Sequence, residues 1–304
     1  MTLSRRPPMR PSIRRLVAAG ASALLVAVAF AGCDTGGRST NDYGIVRVTT
    51  SLEIFADMTR SVGGDRVEVD ALLPSGGDPH TFELSPGRVA DVARADLVVI
   101  NGLSLEASIE DVVETNARRP VVVLAEGLPV IEEGNPHMWL DVRLAARYVE
   151  RIRDELIAID TNGRAAYEAN AQAYLKELGD LDREIEEAVL AIPVERRKLV
   201  TFHDAYPYLA ARYGLEVVAV AVPSPGQEPS AQRVAELTET LRSESVLAVY
   251  KEPQFNAEVL EQAADEAGVR VLDLLSDAYA DGVGSYIELM RFNLAQLKEG
   301  LGGN

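Results

Sequence analysis

The chain has 304 residues, enough for one large hydrophobic core or two modest ones, and its 47% hydrophobic and 6% aromatic content is that of a globular protein. Thirty basic residues against 47 acidic ones give a formal charge of −17 and a pI near 4.7. That balance excludes a nucleic-acid partner, which needs a basic stripe, and predicts a soluble, self-repelling surface.

Arg5, Arg6, Arg10, Arg14 and Arg15 precede the apolar run LVAAGASALLVAVAFAG, which ends in small residues before Cys33, the one cysteine of the chain. A basic start, a short apolar stretch and a small-residue cleavage point predict a signal peptide over residues 1–32, too short and one-sided for a stable membrane span. FAGC resembles a bacterial lipobox, with Phe30 where leucine is usual, and implies lipidation of Cys33 at the new N-terminus. The alternative is an ordinary signal peptide with an incidental cysteine. Loss of the five arginines leaves 25 basic residues against 47 acidic ones, a net charge of −22. With Cys33 lipidated, no thiol remains for disulfide or redox chemistry. Residues 33–44 continue as DTGGRSTNDYG after the cysteine, a polar, glycine-containing sequence expected to be a tether from the anchor.

Short β-branched runs then alternate with helical patterns, as in a parallel α/β protein. The first half offers strands at 45–50, 67–73, 96–101 and 121–125. The second offers 198–202, 216–222, 245–250 and 270–275. Four strands in each half predict two α/β lobes with parallel four-stranded sheets, at 45–163 and 193–304, although no sequence repeat relates them. Between the two sets of strands the pattern is helical. Leu144, Tyr148, Ile152 and Leu156 recur at four-residue spacing within 141–159 and mark one helix face. After the TNG break at 161–163, residues 164–192 contain no proline and only Gly179 as an interruption. A helix of that length spans roughly 40 Å and would join the lobes stiffly.

The three histidines, His80, His137 and His203, each follow a predicted strand or precede a predicted helix. Those are ligand-binding positions in open α/β sheets, where sites form beyond the carboxyl ends of strands. Three imidazoles suit zinc or a related metal and need one more donor to close a tetrahedron. Their intervals of 57 and 66 residues are too long for a zinc finger and suit a cleft built from both lobes. SDAYADG, after the last strand, offers Asp277 and Asp281 as the fourth donor, with Asp277 preferred because it lies two residues past the predicted strand.

Several segments in fixed order resemble the metal-binding solute-receptor family of zinc and manganese ABC importers: DPHTFELSP at 78–86, NGLSLE at 101–106, NPHMWLD at 135–141, VTFHDAYPYLAARYGL at 200–215, QEPSAQRVAEL at 227–237 and LLSDA at 274–278. The resemblance covers nearly the whole mature length. It implies two α/β lobes joined by one long helix, with a single metal between them held by His80, His137, His203 and Asp277. It also implies an extracytoplasmic lipoprotein, monomeric and not an enzyme, that hands its cargo to an ABC permease and its ATPase. Glu106 and Glu228 are candidates for hydrogen bonds behind the ligands. Asp141 is a candidate for orienting the His137 loop, with capping of the following helix the favoured role. Trp139 is expected to pack under the site.

Zn2+ is the expected cargo, because three imidazoles and a carboxylate suit it and intrinsic affinity favours zinc over manganese. Mn2+ is the alternative, since EGLPVIEEGNPH is short and lacks the extra histidines that zinc-specific family members carry before the second ligand. Two other functions compete: a metal-dependent hydrolase, against which stands the absence of HExxH and HxxEH, and a surface adhesin with a structural metal.

Overall fold

The computed structural model describes residues 44–131, 134–223, 225 and 230–302. The expected signal peptide, Cys33, the tether as far as residue 43, and Glu228 lie outside the described residues.

In the first half, β1 (Val46–Thr50), β2 (Val67–Ala71), β3 (Leu97–Ile100) and β4 (Val121–Val123) form one parallel sheet in the order β2-β1-β3-β4. In the second, β5 (Lys198–Thr201), β6 (Glu216–Val220), β7 (Ala248–Lys251) and β8 (Arg270–Asp273) form another in the order β6-β5-β7-β8. The order is the same in both halves, a repeat in topology that the sequence does not display. Each sheet is all parallel, with Val48 facing Val69 on one side and Leu97 on the other. A strand covered on both faces reads as a continuous apolar run, as β3 does, with all four residues of LVVI buried, whereas the edge strand β2, VEVDA, exposes Glu68 and Asp70.

The helices of the first half are α1 (Glu53–Gly63), α2 (Pro86–Arg94), α3 (Ala107–Asn116) and α4 (Val142–Ile159). α5 (Arg164–Leu190) follows, and then α6 (Pro207–Tyr213), α7 (Ala231–Ser243), α8 (Glu258–Ala267) and α9 (Tyr286–Leu301). Their ends follow from local chemistry. Asp141 caps α4, its carboxylate accepting from the Arg143 amide at 2.8 Å. Ser285 caps α9 in the same way through the Glu288 amide. α6 begins on a proline and ends at Gly214, whose φ of +72° supplies the left-handed turn that closes the helix. Among the described residues, no helix is long and apolar enough to cross a membrane.

With 27 residues, α5 is about 40 Å long. Near its start, Asn170 donates to the carbonyl of Val62 at the end of α1, beside the amino end of β2. Beyond its last turn, Arg197 donates to the carbonyls of Leu190 and Ile192 at the amino end of β5. The amino ends of the two sheets therefore lie toward opposite ends of this helix, while the loops beyond their carboxyl ends meet. Tyr148, Tyr167, Tyr206, Tyr213 and Tyr286 are buried in one core that includes apolar residues of both sheets.

Candidate metal centre

Four loops beyond strand carboxyl ends bring His80, His137, His203 and Asp277 together. His80 follows β2, His137 follows β4, His203 follows β5 and Asp277 follows β8. One donor atom from each lies within 4.8 Å of all the others. His137 Nε2 is 3.4 Å from Asp277 Oδ1, and His203 Nε2 and His80 Nε2 are 3.7 and 3.9 Å from Oδ2. The Nε2 atoms of His137 and His203 are 3.3 Å apart. Donors bonded at about 2.0–2.1 Å around a tetrahedral ion lie about 3.3–3.4 Å from one another, so the cluster is near that size. Both Asp277 oxygens face it, allowing one or two oxygen contacts. Asp281, the alternative donor, is exposed and not part of the cluster.

His137, His203 and Asp277 are almost fully buried, while the His80 side chain keeps 14% exposure. His80 Nε2 and both oxygens of Asp277 are buried without a hydrogen-bond partner. Buried polar atoms are ordinarily satisfied, and three orphans aimed at one point fit a cation. Burial lowers the pKa of His80 and His137. For Asp277 burial acts to raise it, but the imidazoles of His137, His203 and His80 outweigh burial and hold the carboxyl well below its usual range. For His203 burial again opposes charge, yet the Glu252 carboxylate beside it prevails, and the ring is pushed up to about 9.

The surrounding hydrogen bonds fix which nitrogen each ring presents. His137 Nδ1 donates to Asn135 Oδ1 at 3.0 Å, leaving Nε2 for the cluster. Asn135 in turn donates to the carbonyl of Asp204 at 2.7 Å, joining a first-half loop to a second-half loop. His203 Nδ1 lies 2.8 Å from Glu252 Oε2, so its Nε2 also points inward. His80 is held through its backbone, its amide donating to Asp78 Oδ1 at 2.9 Å. Trp139 packs against the His137 ring at 5.3 Å and donates from Nε1 to the Ser276 carbonyl at 3.0 Å.

The three acids expected behind the ligands differ in position. Asp141 caps α4 and touches none of the four. Glu106 is fully buried and acts at a distance: its Oε1 accepts from the Asn101 amide at 2.6 Å, and Asn101 Nδ2 donates to the Pro136 carbonyl at 3.0 Å, next to His137. The loop between them holds Gly102, Leu103 and Ser104 at φ of +83°, +56° and +58°. Two non-glycine residues in that region cost roughly 1–2 kcal/mol each, and the buried Glu106 bond helps hold the turn. Glu228 lies outside the described residues. Glu252 and Asn135, which touch the Nδ1 atoms of His203 and His137, stand out in the fold and not in the sequence. Glu252 immediately follows β7, the strand beside β5 in the sheet, so the strand-end rule that marks His203 marks it too once the strand order is known.

Two parallel α/β lobes, one long helix between them and a buried donor cluster where their loops meet define the two-lobe α/β class of solute-binding proteins. The chain matches the family described as ZnuA, zinc-uptake complex component A, periplasmic, over residues 48–300, and it belongs to that family. It is 31% identical over 291 residues to the manganese-binding lipoprotein MntA of Halalkalibacterium halodurans, spanning 91% of this chain and 96% of that one. The high-affinity zinc uptake system protein ZnuA of Bacillus subtilis is 28% identical over 306 residues, covering 92% of this chain and 95% of its own length. Among solved structures, the periplasmic zinc-binding protein TroA from Treponema pallidum is similar with a TM-score of 0.79 at 28% identity, covering 85% of this chain and 99% of that one.

Proposed function

We propose that this protein is the extracytoplasmic receptor of a metal ABC importer, capturing one divalent transition metal at His80, His137, His203 and Asp277 and delivering it to a permease and its ATPase. The observation that carries the reading is the convergence of four donors from both halves, with three orphaned polar atoms aimed at one point. Four protein donors suit a held cargo better than a metal that activates water, which needs an open position, so the reading is a receptor and not an enzyme. Zinc is the tighter ligand, since three imidazoles and one carboxylate favour it over manganese. Manganese is the alternative cargo, and the names of the relatives divide between the two metals.

The same reading divides the chain into a removed leader at 1–32, a tether at 33–44 anchored through lipidated Cys33, lobes at 45–163 and 193–304, and a linking helix at 164–192. It takes the receptor to act as a monomer. The FAGC sequence and the lipoprotein name of the H. halodurans relative support the anchor.

Metal titration with mass-spectrometric counting tests the site. The mature protein is expected to bind one zinc ion. His80→Ala and His203→Ala should lose more than the roughly 10–100-fold in affinity that follows removal of an outer hydrogen-bond partner. Two equivalent tight sites, or unchanged affinity in both variants, would refute the assignment. A Cys33→Ser variant should leave the membrane fraction; retention there in high salt would refute the anchor.

A further inference from the structure

Glu252 is 1% exposed, and both its oxygens are engaged around the donor cluster. Oε2 pairs with His203 Nδ1 at 2.8 Å, and Oε1 accepts the hydroxyl proton of Ser276, the residue before Asp277. Among the described residues its ion-pair partner is His203. A buried carboxylate costs several kcal/mol in desolvation, and among the described residues no arginine or lysine pairs with Glu252. Glu252 instead faces an imidazole whose other nitrogen points at Asp277.

The three histidines are anchored unequally. His203 has an anionic partner in Glu252, while His137 has a neutral one in the amide oxygen of Asn135. Among the described residues, no hydrogen bond reaches a ring nitrogen of His80 from any group that would fix its tautomer. A carboxylate on Nδ1–H draws the proton toward itself and makes Nε2 a stronger donor than an amide would. Its second oxygen ties the Ser276–Asp277 turn to the same point, so the two second-half donors are held as a pair.

We propose that Glu252 is a positioning and selectivity residue: acting through His203 and Ser276, it holds two of the four donors in fixed geometry and biases the site toward zinc over manganese. The proposal rests on the receptor reading above. Zinc draws its preference from nitrogen donors and a compact four-donor shell, whereas manganese favours oxygen and a larger shell. Strengthening one imidazole and restraining the carboxylate beside it therefore favours zinc more than manganese.

The test compares mature wild-type protein with Glu252→Gln, Glu252→Asp and Ser276→Ala, using Zn2+ and Mn2+ titrations and the visible spectrum of the Co2+-loaded forms. Glu252→Gln is expected to lose about 10–100-fold in zinc affinity. Its manganese affinity should fall less, so that the zinc preference shrinks by about tenfold. Its cobalt spectrum should lose the intensity of a four-coordinate ion. Glu252→Asp, which retains the charge, should recover part of the preference, and Ser276→Ala, which frees only one oxygen, should show a smaller loss in the same direction. Equal losses for both metals would mark Glu252 as merely structural and overturn the proposal, as would no loss. If Glu252→Gln fails to fold, Ser276→Ala decides, with equal zinc and manganese losses overturning it. A wild type that binds neither metal refutes the receptor reading itself, which separates the two failures.

Discussion

Glu106 shows what one buried acid does to the pH response of the fold. Burial, opposed by the Ser51 hydroxyl and the Asn101 amide, pushes its pKa up to about 7 from 4.5, and Glu110 on α3 adds to the rise. The Tyr148 hydroxyl on α4 donates to Asn101 Oδ1 at 2.7 Å, on the residue whose amide donates to Glu106. The folded protein therefore keeps a proton that the unfolded chain releases, so stability falls as pH rises from about 4.5 to 7, and the full cost applies above 7. A shift of that size corresponds to about 3 kcal/mol. Glu106→Gln keeps an oxygen for the Asn101 amide and does not titrate. It should unfold at higher denaturant than wild type at pH 8, with the gap closing toward pH 5; a gap independent of pH would contradict this account. The donor cluster responds in the opposite sense. A metal ion must displace the proton that His203 carries below about 9, whereas His80 and His137, with lowered values, are already neutral near pH 7.5. Affinity should then rise about tenfold per pH unit and level off near 9. Calorimetry in buffers of different ionisation enthalpy should count about one proton released at pH 7.5, and a count of zero would be incompatible with metal binding at His203.

At the scale of elements, the link α5 offers a direct test. Gly179 is exposed within it, and a methyl group added there meets no atom within 4 Å. Gly179→Ala should stabilise the protein by about 0.5–1 kcal/mol by restricting the unfolded chain, read as a higher melting temperature with unchanged metal affinity. A lower melting temperature would mean that the helix needs the glycine for a contact or a bend. This helix was legible in the sequence because residues 164–192 contain no proline and only Gly179 as an interruption, and all eight strands lie within a few residues of their expected positions because each β-branched run is bracketed by polar ones. Where the two differ, neighbouring structure decides. β7 begins at Ala248 and not at 245 because Ser245 adopts a φ of +54° and the Val246 amide returns to the carbonyl of Leu241, closing α7. The repeated strand order stayed hidden because parallel neighbours are chosen by crossovers, not by local residue preference. Glu252 stayed hidden for the same reason: an acid after a strand resembles any solvated acid until β7 is known to lie beside β5. The histidines were visible because there are three of them and all fall at chain positions of one kind.

For the molecule as a whole, the join between the halves is stiff. Arg212 on α6, nearly buried, donates to Asp182 and Glu186 of α5, and Arg143 at the start of α4 reaches the same Asp182. Buried tyrosines of both halves share one core, and Asn135 and Trp139 bond first-half loops to second-half ones. Opening the halves like a hinge would expose this core and break those bonds together. Small-angle scattering should therefore show almost the same radius of gyration with and without metal, with cargo leaving through movement of the binding loops. A large contraction on metal addition would refute the stiff join. The single tryptophan of the chain gives this seam an optical property. Trp139 is fully buried, packs against His137 and bonds the second-half carbonyl of Ser276, so its emission originates beside the donor cluster. Intrinsic fluorescence is thus a site-specific signal without any label: a paramagnetic ion quenches it by proximity, a closed-shell ion alters it through the neighbouring imidazole, and the arrival of either can be timed in a rapid-mixing cell.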